Sequence, residues 1–202
     1  MISESLFVFP KETSEYELNF ARQCAIKLKC DLCNSGIQTK EIVGDNANEN
    51  EIVKELSTKH DGNFLMFGHG SPEAFTVHQD RKPIFFLRNA VHLKNLVCYF
   101  LSCCTGQKIG PAAMGNDALA FIGFKENFEF IPYYEHVFFE CAISGIRKYL
   151  KGECAIHEIE KNTNDAFNAE ISRLISQREY YAAQKLLLDL SVMVFLIRGQ
   201  VS

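Results

Sequence analysis

Two unbroken apolar runs, each ending in a chemically competent turn, constrain this chain more than anything else in it. Residues 64–67 (Phe-Leu-Met-Phe) lead straight into Gly68-His69-Gly70. Residues 96–101 (Leu-Val-Cys-Tyr-Phe-Leu) lead into Ser102-Cys103-Cys104-Thr105-Gly106. A strand with one wet face alternates apolar and polar residues. One that is apolar throughout is buried on both faces, as in a parallel sheet covered by helices on each side. The segment between the runs is long enough for a crossover, which takes roughly a dozen residues or more. In such a sheet the ligand crevice lies beyond the carboxyl ends of the strands. An imidazole and a thiol delivered there from adjacent strands are suited to act as base and nucleophile.

The rest of the chain fits that frame. Residues 6–9 form a short apolar run stopped by Pro10. Thr13 or Ser14 can then cap a helix whose apolar stripe runs through Tyr16, Leu18, Phe20, Ala21, Cys24, Ala25 and Leu28. Asn34-Ser35-Gly36 closes it with a residue able to take positive φ. Residues 37–43 predict a weaker strand, and Asn50 can cap a short helix over 51–57. This alternation of strand and helix favours a doubly covered parallel sheet. Residues 74–77 and 83–86 flank the polar turn 79–82 as a hairpin overhanging the carboxyl edge. Residues 108–115 are short and glycine-rich, predicting only a brief helix. A fifth strand is predicted over 117–124 and a loop over 125–131. Helices follow over 133–150, from Asn164 or Asp165 to 176, and over 179–188. Residues 191–198 read as a last β-branched edge strand, with continued helix as the alternative. There is no internal repeat or linker, so one α/β domain over residues 1–202 is expected.

Bulk properties remove several function classes. A length of 202 residues suits one such domain, and the formal charge of −4 comes with scattered Lys and Arg, so no nucleic-acid partner is expected. No run reaches ~18 apolar residues and the start lacks a basic, apolar leader, so no membrane association is expected and a cytoplasmic location is. Eight cysteines then point to reduced thiols. Six of them (Cys24, Cys30, Cys33, Cys98, Cys141, Cys154) sit in apolar or helical surroundings, where Cys acts as a small hydrophobe. Cys30-Asp31-Leu32-Cys33 has no second ligand pair at zinc spacing, and His60, His78, His92, His136 and His157 have no paired spacing. There is no Walker or Rossmann glycine pattern, so neither metal nor cofactor is expected.

The two blocks carry a family likeness. The chain resembles the caspase-like (clan CD) cysteine peptidases: caspases, gingipains, clostripain, separase and, most closely, bacterial CHAT-domain proteases. These share an apolar block ending in His-Gly and a second ending in a small residue and the nucleophilic Cys. CHAT domains show Leu-Ser-Ala-Cys-x-Thr-Gly where this chain has Leu101-Ser102-Cys103-Cys104-Thr105-Gly106, one residue shorter before Thr-Gly. Gly115 to Gly123 is similar to their Gly-Ala-x-Ala-hydrophobic-Ile-Gly stretch. The likeness covers residues 60–124, and the Gln-Ala-Cys-x-Gly signature of caspases is absent.

The resemblance implies a caspase-haemoglobinase-like three-layer sandwich with a mostly parallel six-stranded sheet and a small hairpin after the third strand. It implies a cysteine endopeptidase acting on a protein substrate, in regulated and possibly defence-related bacterial proteolysis, with a regulatory protein as a possible further partner. Its register makes Cys104 the nucleophile, with Cys103 the other choice, and His69 the proton carrier. The N–H groups of Gly70 and Cys104 would form the oxyanion hole. Several relatives cut after Arg or Lys through an acidic pocket residue, for which Asp80, Asp117, Glu126 and Glu129 are the candidates. The aromatics Phe124, Phe128, Phe130, Tyr133 and Tyr134 suit either a substrate groove or core packing. No third catalytic residue can be named from sequence. Two rival readings stay open: a catalytically silent caspase-like scaffold that binds a regulator, and a redox or metal role for Cys30/Cys33 with Cys103/Cys104.

Overall fold

The alternation of inward and outward residues along the apolar runs sets the layers. A computed structural model describes residues 4–199. The strands are β1 (Ser5–Phe9), β2 (Thr39–Val43), β3 (Gly62–Phe67), β4 (His69–Gly70), β5 (Ala74–Thr76), β6 (Phe85–Phe86), β7 (Leu96–Leu101), β8 (Ala120–Phe124) and β9 (Met193–Ile197). The helices are α1 (Tyr16–Asn34), α2 (Glu49–Thr58), α3 (Thr105–Gly115), α4 (Glu135–Leu150), α5 (Ile159–Ser176) and α6 (Tyr180–Val192). Six strands form the main sheet in the order β2-β1-β3-β7-β8-β9. All pairings in it are parallel except that of β9 with β8. This is the caspase-haemoglobinase-like three-layer architecture.

The central strands are buried on both faces. Phe7, Leu65, Phe67, Tyr99, Leu101 and Ile122 point into one core with α1, α4, α5 and α6. Leu6, Phe64, Met66, Cys98, Phe100 and Phe121 point into the other, beneath α2, α3 and the small sheet. Phe100 sits edge-on to Phe64, Phe75 and Phe85, tying the small sheet to β3 and β7. Edge-to-face pairs of this kind add about 0.5–1.5 kcal/mol beyond burial.

Several local expectations need correction. The predicted hairpin is one strand larger, because His69–Gly70 pairs with β5 and makes a three-stranded antiparallel sheet, β4-β5-β6. The segment after Cys104 is a full 11-residue helix despite three glycines and Pro111. A Cβ on Gly106 would lie 2.5 Å from Val194 Cγ2, and one on Gly110 2.8 Å from the Phe121 ring. The glycines allow α3 to lie close on β8 and β9, and that packing outweighs their poor helix propensity. Neither Thr13 nor Ser14 caps α1; Glu15 takes that position, and Thr13 Oγ1 accepts from the Glu15 N–H. Asn48, not Asn50, caps α2 through a bond from the Glu51 N–H. Helix α5 starts at Ile159 rather than at Asn164 or Asp165, where Gly145 lets α4 pack against Ile159 and Thr163. Residues 193–197 are strand, which resolves the helix alternative. Cys30 and Cys33 are exposed on α1 rather than packed, while Cys24, Cys98 and Cys141 are buried.

Candidate active site

Strands β3 and β7 run parallel and in register, with Phe67 opposite Leu101. The Gly68 N–H continues the ladder to the Leu101 carbonyl at 3.2 Å. The residues that follow, His69-Gly70 and Ser102-Cys103-Cys104, therefore leave the sheet side by side. A Cβ on Gly70 would fall 2.4 Å from the Cys103 carbonyl oxygen and 2.9 Å from Ser102 Cβ. Gly70 thus lets the histidine strand lie against the cysteine turn. The approach its missing side chain allows is to the chain itself, not only to a bound substrate.

Strand β1 adds a residue that sequence reasoning missed. Its exit leads to Glu15, whose Oε1 meets His69 Nε2 at 2.5 Å and also accepts from Arg81 Nη2 at 2.9 Å. Both His69 and Glu15 are largely sheltered from solvent. With Nε2–H facing the carboxylate, a neutral ring presents Nδ1 as its basic nitrogen. Burial lowers the His69 pKa below the ordinary histidine value; Glu15 opposes this and the Arg81 charge adds to it. The available signal was topological: β1 neighbours β3, so its carboxyl end opens on the same crevice.

Cys104 directly precedes the first turn of α3, with its backbone in the left-handed region at φ 61°. Few non-glycine residues adopt that conformation, and it costs of order 1–3 kcal/mol. Its place puts the sulfur at a helix N-terminus, where anions are stabilised. Burial and the Glu126 charge act the other way and raise the Cys104 pKa. Both shifts favour the uncharged forms, a thiol at Cys104 and a neutral imidazole at His69. Cys103 is raised as well, by burial first, and its sulfur turns to the Phe128 backbone. Cys104, not Cys103, lines an open cavity of about 410 Å³.

Loop 125–131 borders that cavity. The Cys104 N–H donates to the Glu126 carbonyl at 3.2 Å, so this expected oxyanion donor is engaged in the structure. Gln107 Nε2 holds the Lys125 carbonyl at 2.6 Å, and the Lys125 N–H bonds the Val192 carbonyl at 2.8 Å. Of the four acidic candidates, Glu126 and Glu129 line the Cys104 cavity, and Glu129 is ion-paired with Lys185. Asp80 does not: it sits at the turn before β6, accepting from the Lys82 N–H and facing the Asp45 and His78 side. Asp117 lies at the amino-terminal end of the sheet, its carbonyl bonded by the Asn95 N–H before β7. That is the end opposite the crevice, which removes Asp117 as a pocket residue. Phe128 and Phe130 stack with Phe20, and Phe124 is fully buried against Phe128, so these aromatics belong to the core. A second missed residue, Asp189 on α6, reaches the cavity from beneath. In sequence it merely interrupts an apolar helix. Among the described residues no group of three or more His, Cys, Asp or Glu is placed to hold a metal ion.

The mostly parallel sheet brings the segments that carry His69-Gly70 and Cys103-Cys104 out side by side at the same end of neighbouring strands, in a caspase-haemoglobinase-like fold. Among solved structures, the chain is similar to the Arg-specific cysteine proteinase gingipain R (RgpB), with a TM-score of 0.67 and 13% identity over 96% of this chain and 47% of that one. It is equally similar to RgpB in the complex of the Porphyromonas gingivalis pro- and mature domains, again at 0.67 and 13%, covering 48% of that chain. The chain thus spans about half the length of the gingipain chains it matches, and the likeness at this identity is one of fold. No family model matches the chain, and no curated protein matches it in sequence.

Proposed function

We propose that this chain is a cysteine endopeptidase that cleaves a protein substrate through a Cys104 acyl-enzyme, with His69 as proton carrier. The observation that carries the reading is the β3–β7 register, which brings a Glu15-buttressed imidazole alongside the turn holding Cys104. The Cys104 Sγ–H proton passes to His69 Nδ1 as sulfur bonds to the scissile carbonyl carbon and the C=O electron pair moves onto oxygen. The tetrahedral intermediate collapses, the C–N bond breaks, and the leaving amine takes the proton from His69. Water then attacks the thioester and gives a proton to His69; the C–S bond breaks, the departing sulfur takes that proton back to restore the thiol, and the product leaves as the carboxylic acid, which ionises in water. Backbone N–H groups aimed at the developing oxyanion lower the barrier. For Cys104 to supply one, the Glu126 carbonyl has to withdraw, which makes loop 125–131 the natural point of control. A regulatory partner acting there, a cytoplasmic location, a bacterial defence setting and the CHAT-type identity all rest on the resemblance.

A second reading is a silent scaffold, favoured by the engaged Cys104 amide and the raised thiol pKa. A peptide-library digest comparing wild type with Cys104→Ala and Cys103→Ala separates the two. The peptidase reading expects cleavage by wild type and Cys103→Ala and none by Cys104→Ala. Cleavage unaffected by Cys104→Ala, or absent in all three, contradicts it.

A further inference from the structure

Cys103 takes no part in the proposed cleavage, yet it stands one peptide bond from its nucleophile. Both residues are partly exposed rather than sealed in the core. Their sulfurs face one loop: Cys104 Sγ contacts Asn127 Oδ1 at 3.9 Å, and Cys103 Sγ turns to the backbone of Phe128, the next residue. The Cys103 pKa is raised by burial first, and the neighbouring Cys104 charge adds to it. The other six thiols lie away from this turn. Cys24, Cys98 and Cys141 are buried. Cys30 and Cys33 sit in the last turns of α1 and Cys154 follows α4, each most of a helix length from the strand exits at which those helices begin.

An accessible cysteine poised next to a second thiol is the arrangement that oxidation sensors share. Cys104 lines an open cavity of about 410 Å³, which admits a small hydroperoxide. At rest its raised pKa keeps it a thiol. The proton transfer to His69 that cleavage requires also produces the thiolate that a peroxide needs. A sulfur oxidised there meets Cys103 before any free thiol, because two adjacent residues share an effective concentration that no solute reaches.

We infer that Cys103 is a resolving cysteine and that Cys103-Cys104 is an oxidative modification site, which a hydroperoxide converts to a vicinal disulfide that withdraws the nucleophile until a thiol reductant returns it. The inference takes its nucleophile and base from the peptidase reading. The Cys104 thiolate attacks the terminal peroxide oxygen, the O–O bond breaks, and the departing oxygen takes the proton held by His69 and leaves as an alcohol. Sulfur has given up two electrons and is a sulfenic acid. Cys103 Sγ then attacks Cys104 Sγ, the S–O bond breaks, and hydroxide leaves with the Cys103 proton as water. Two thiols and one hydroperoxide thus give one disulfide, one alcohol and one water. Adjacent Cα atoms are about 3.8 Å apart across a trans peptide, closer than the roughly 4.4–6.8 Å of ordinary disulfides. The ring is therefore strained and readily reduced, as labile rather than structural disulfides are. Closing it turns both sulfurs away from Asn127 and Phe128, so oxidation also loosens loop 125–131 from the turn.

The test treats reduced wild type, Cys103→Ala and Cys103→Ser with tert-butyl hydroperoxide near neutral pH, then denatures, alkylates with iodoacetamide and digests with trypsin. Peptide 95–108 carries Cys98, Cys103 and Cys104. In wild type it should take up one alkyl group, at Cys98, instead of three, and dithiothreitol before alkylation should restore all three. In both variants Cys104 should instead pass on to sulfinic acid, which dithiothreitol does not recover. Peptide cleavage should be lost and regained with the disulfide in wild type and lost for good in the variants. Sulfinic Cys104 in wild type with Cys103 still a thiol overturns the inference and needs no variant to be seen. So does a disulfide from Cys104 to any other cysteine or to a second chain. A reversible Cys103-Cys104 disulfide in a chain that cleaves no peptide even when reduced supports the modification site and contradicts the peptidase reading.

Discussion

At His69 two neighbours pull the ring's basicity in opposite directions through one shared oxygen, Glu15 Oε1. Glu15 raises the imidazole pKa and Arg81 lowers it. The acid limb of kcat/KM is therefore expected below the ordinary histidine range. Arg81→Ala should move that limb to higher pH and Glu15→Gln to lower pH, the latter also reducing the rate by about 10- to 100-fold as the ring loses its anchor. Steady-state pH profiles of the two variants check this, and shifts of the same sign would contradict it. Glu126 acts in the same way on the nucleophile, raising the Cys104 pKa by its charge. Removing that charge in Glu126→Gln should increase the thiolate fraction at pH 7 and speed disulfide exchange with an aromatic disulfide about two- to fivefold. A slower reaction would mean that Glu126 does something other than repel the thiolate.

Elements, rather than single side chains, explain how much of this was legible in advance. Strands β3 and β7 could be read because a continuous apolar run has one good explanation in a chain of this pattern, and their exits carried His69 and Cys104 with them. Helix α3 could not, because Gly106 and Gly110 look like breakers until β8 and β9 are seen to press against them. Glu15 and Asp189 were missed for a related reason: each becomes meaningful only when distant strands fix which loops share the crevice. The same argument inverts a familiar rule. Gly→Ala in a helix ordinarily stabilises by about 0.5–1 kcal/mol. Here Gly110→Ala should destabilise by about 1–3 kcal/mol, because its Cβ would meet the Phe121 ring at 2.8 Å. Gly70→Ala should cost a similar amount and also separate the two strand exits, since its Cβ would lie 2.4 Å from the Cys103 carbonyl oxygen. Urea denaturation measures both, and a gain in stability at either position would show that the close approach is not needed.

Over the whole molecule, buried charge sets the response to pH. Asp189 titrates near 8 in the folded chain and near 3.8 when unfolded. Between those values the unfolded chain has given up a proton that the folded chain keeps. Stability therefore falls as pH rises from about 4 to about 8 through this group alone. Asp189→Asn should leave stability near pH 4 almost unchanged and raise it by on the order of 3–5 kcal/mol at pH 9. A difference that is flat with pH would show the carboxyl to be ionised throughout. The central proposal, that the Cys104 thiol and the His69 imidazole at the ends of neighbouring strands β7 and β3 act together, is tested most directly by the iodoacetamide alkylation rate of each cysteine near neutral pH, in wild type and in His69→Ala. Cys104 should react faster than the other seven thiols, and the His69 substitution should slow it at least tenfold while leaving exposed Cys30 and Cys33 as they were. A Cys104 rate that is ordinary, or indifferent to His69, contradicts the account.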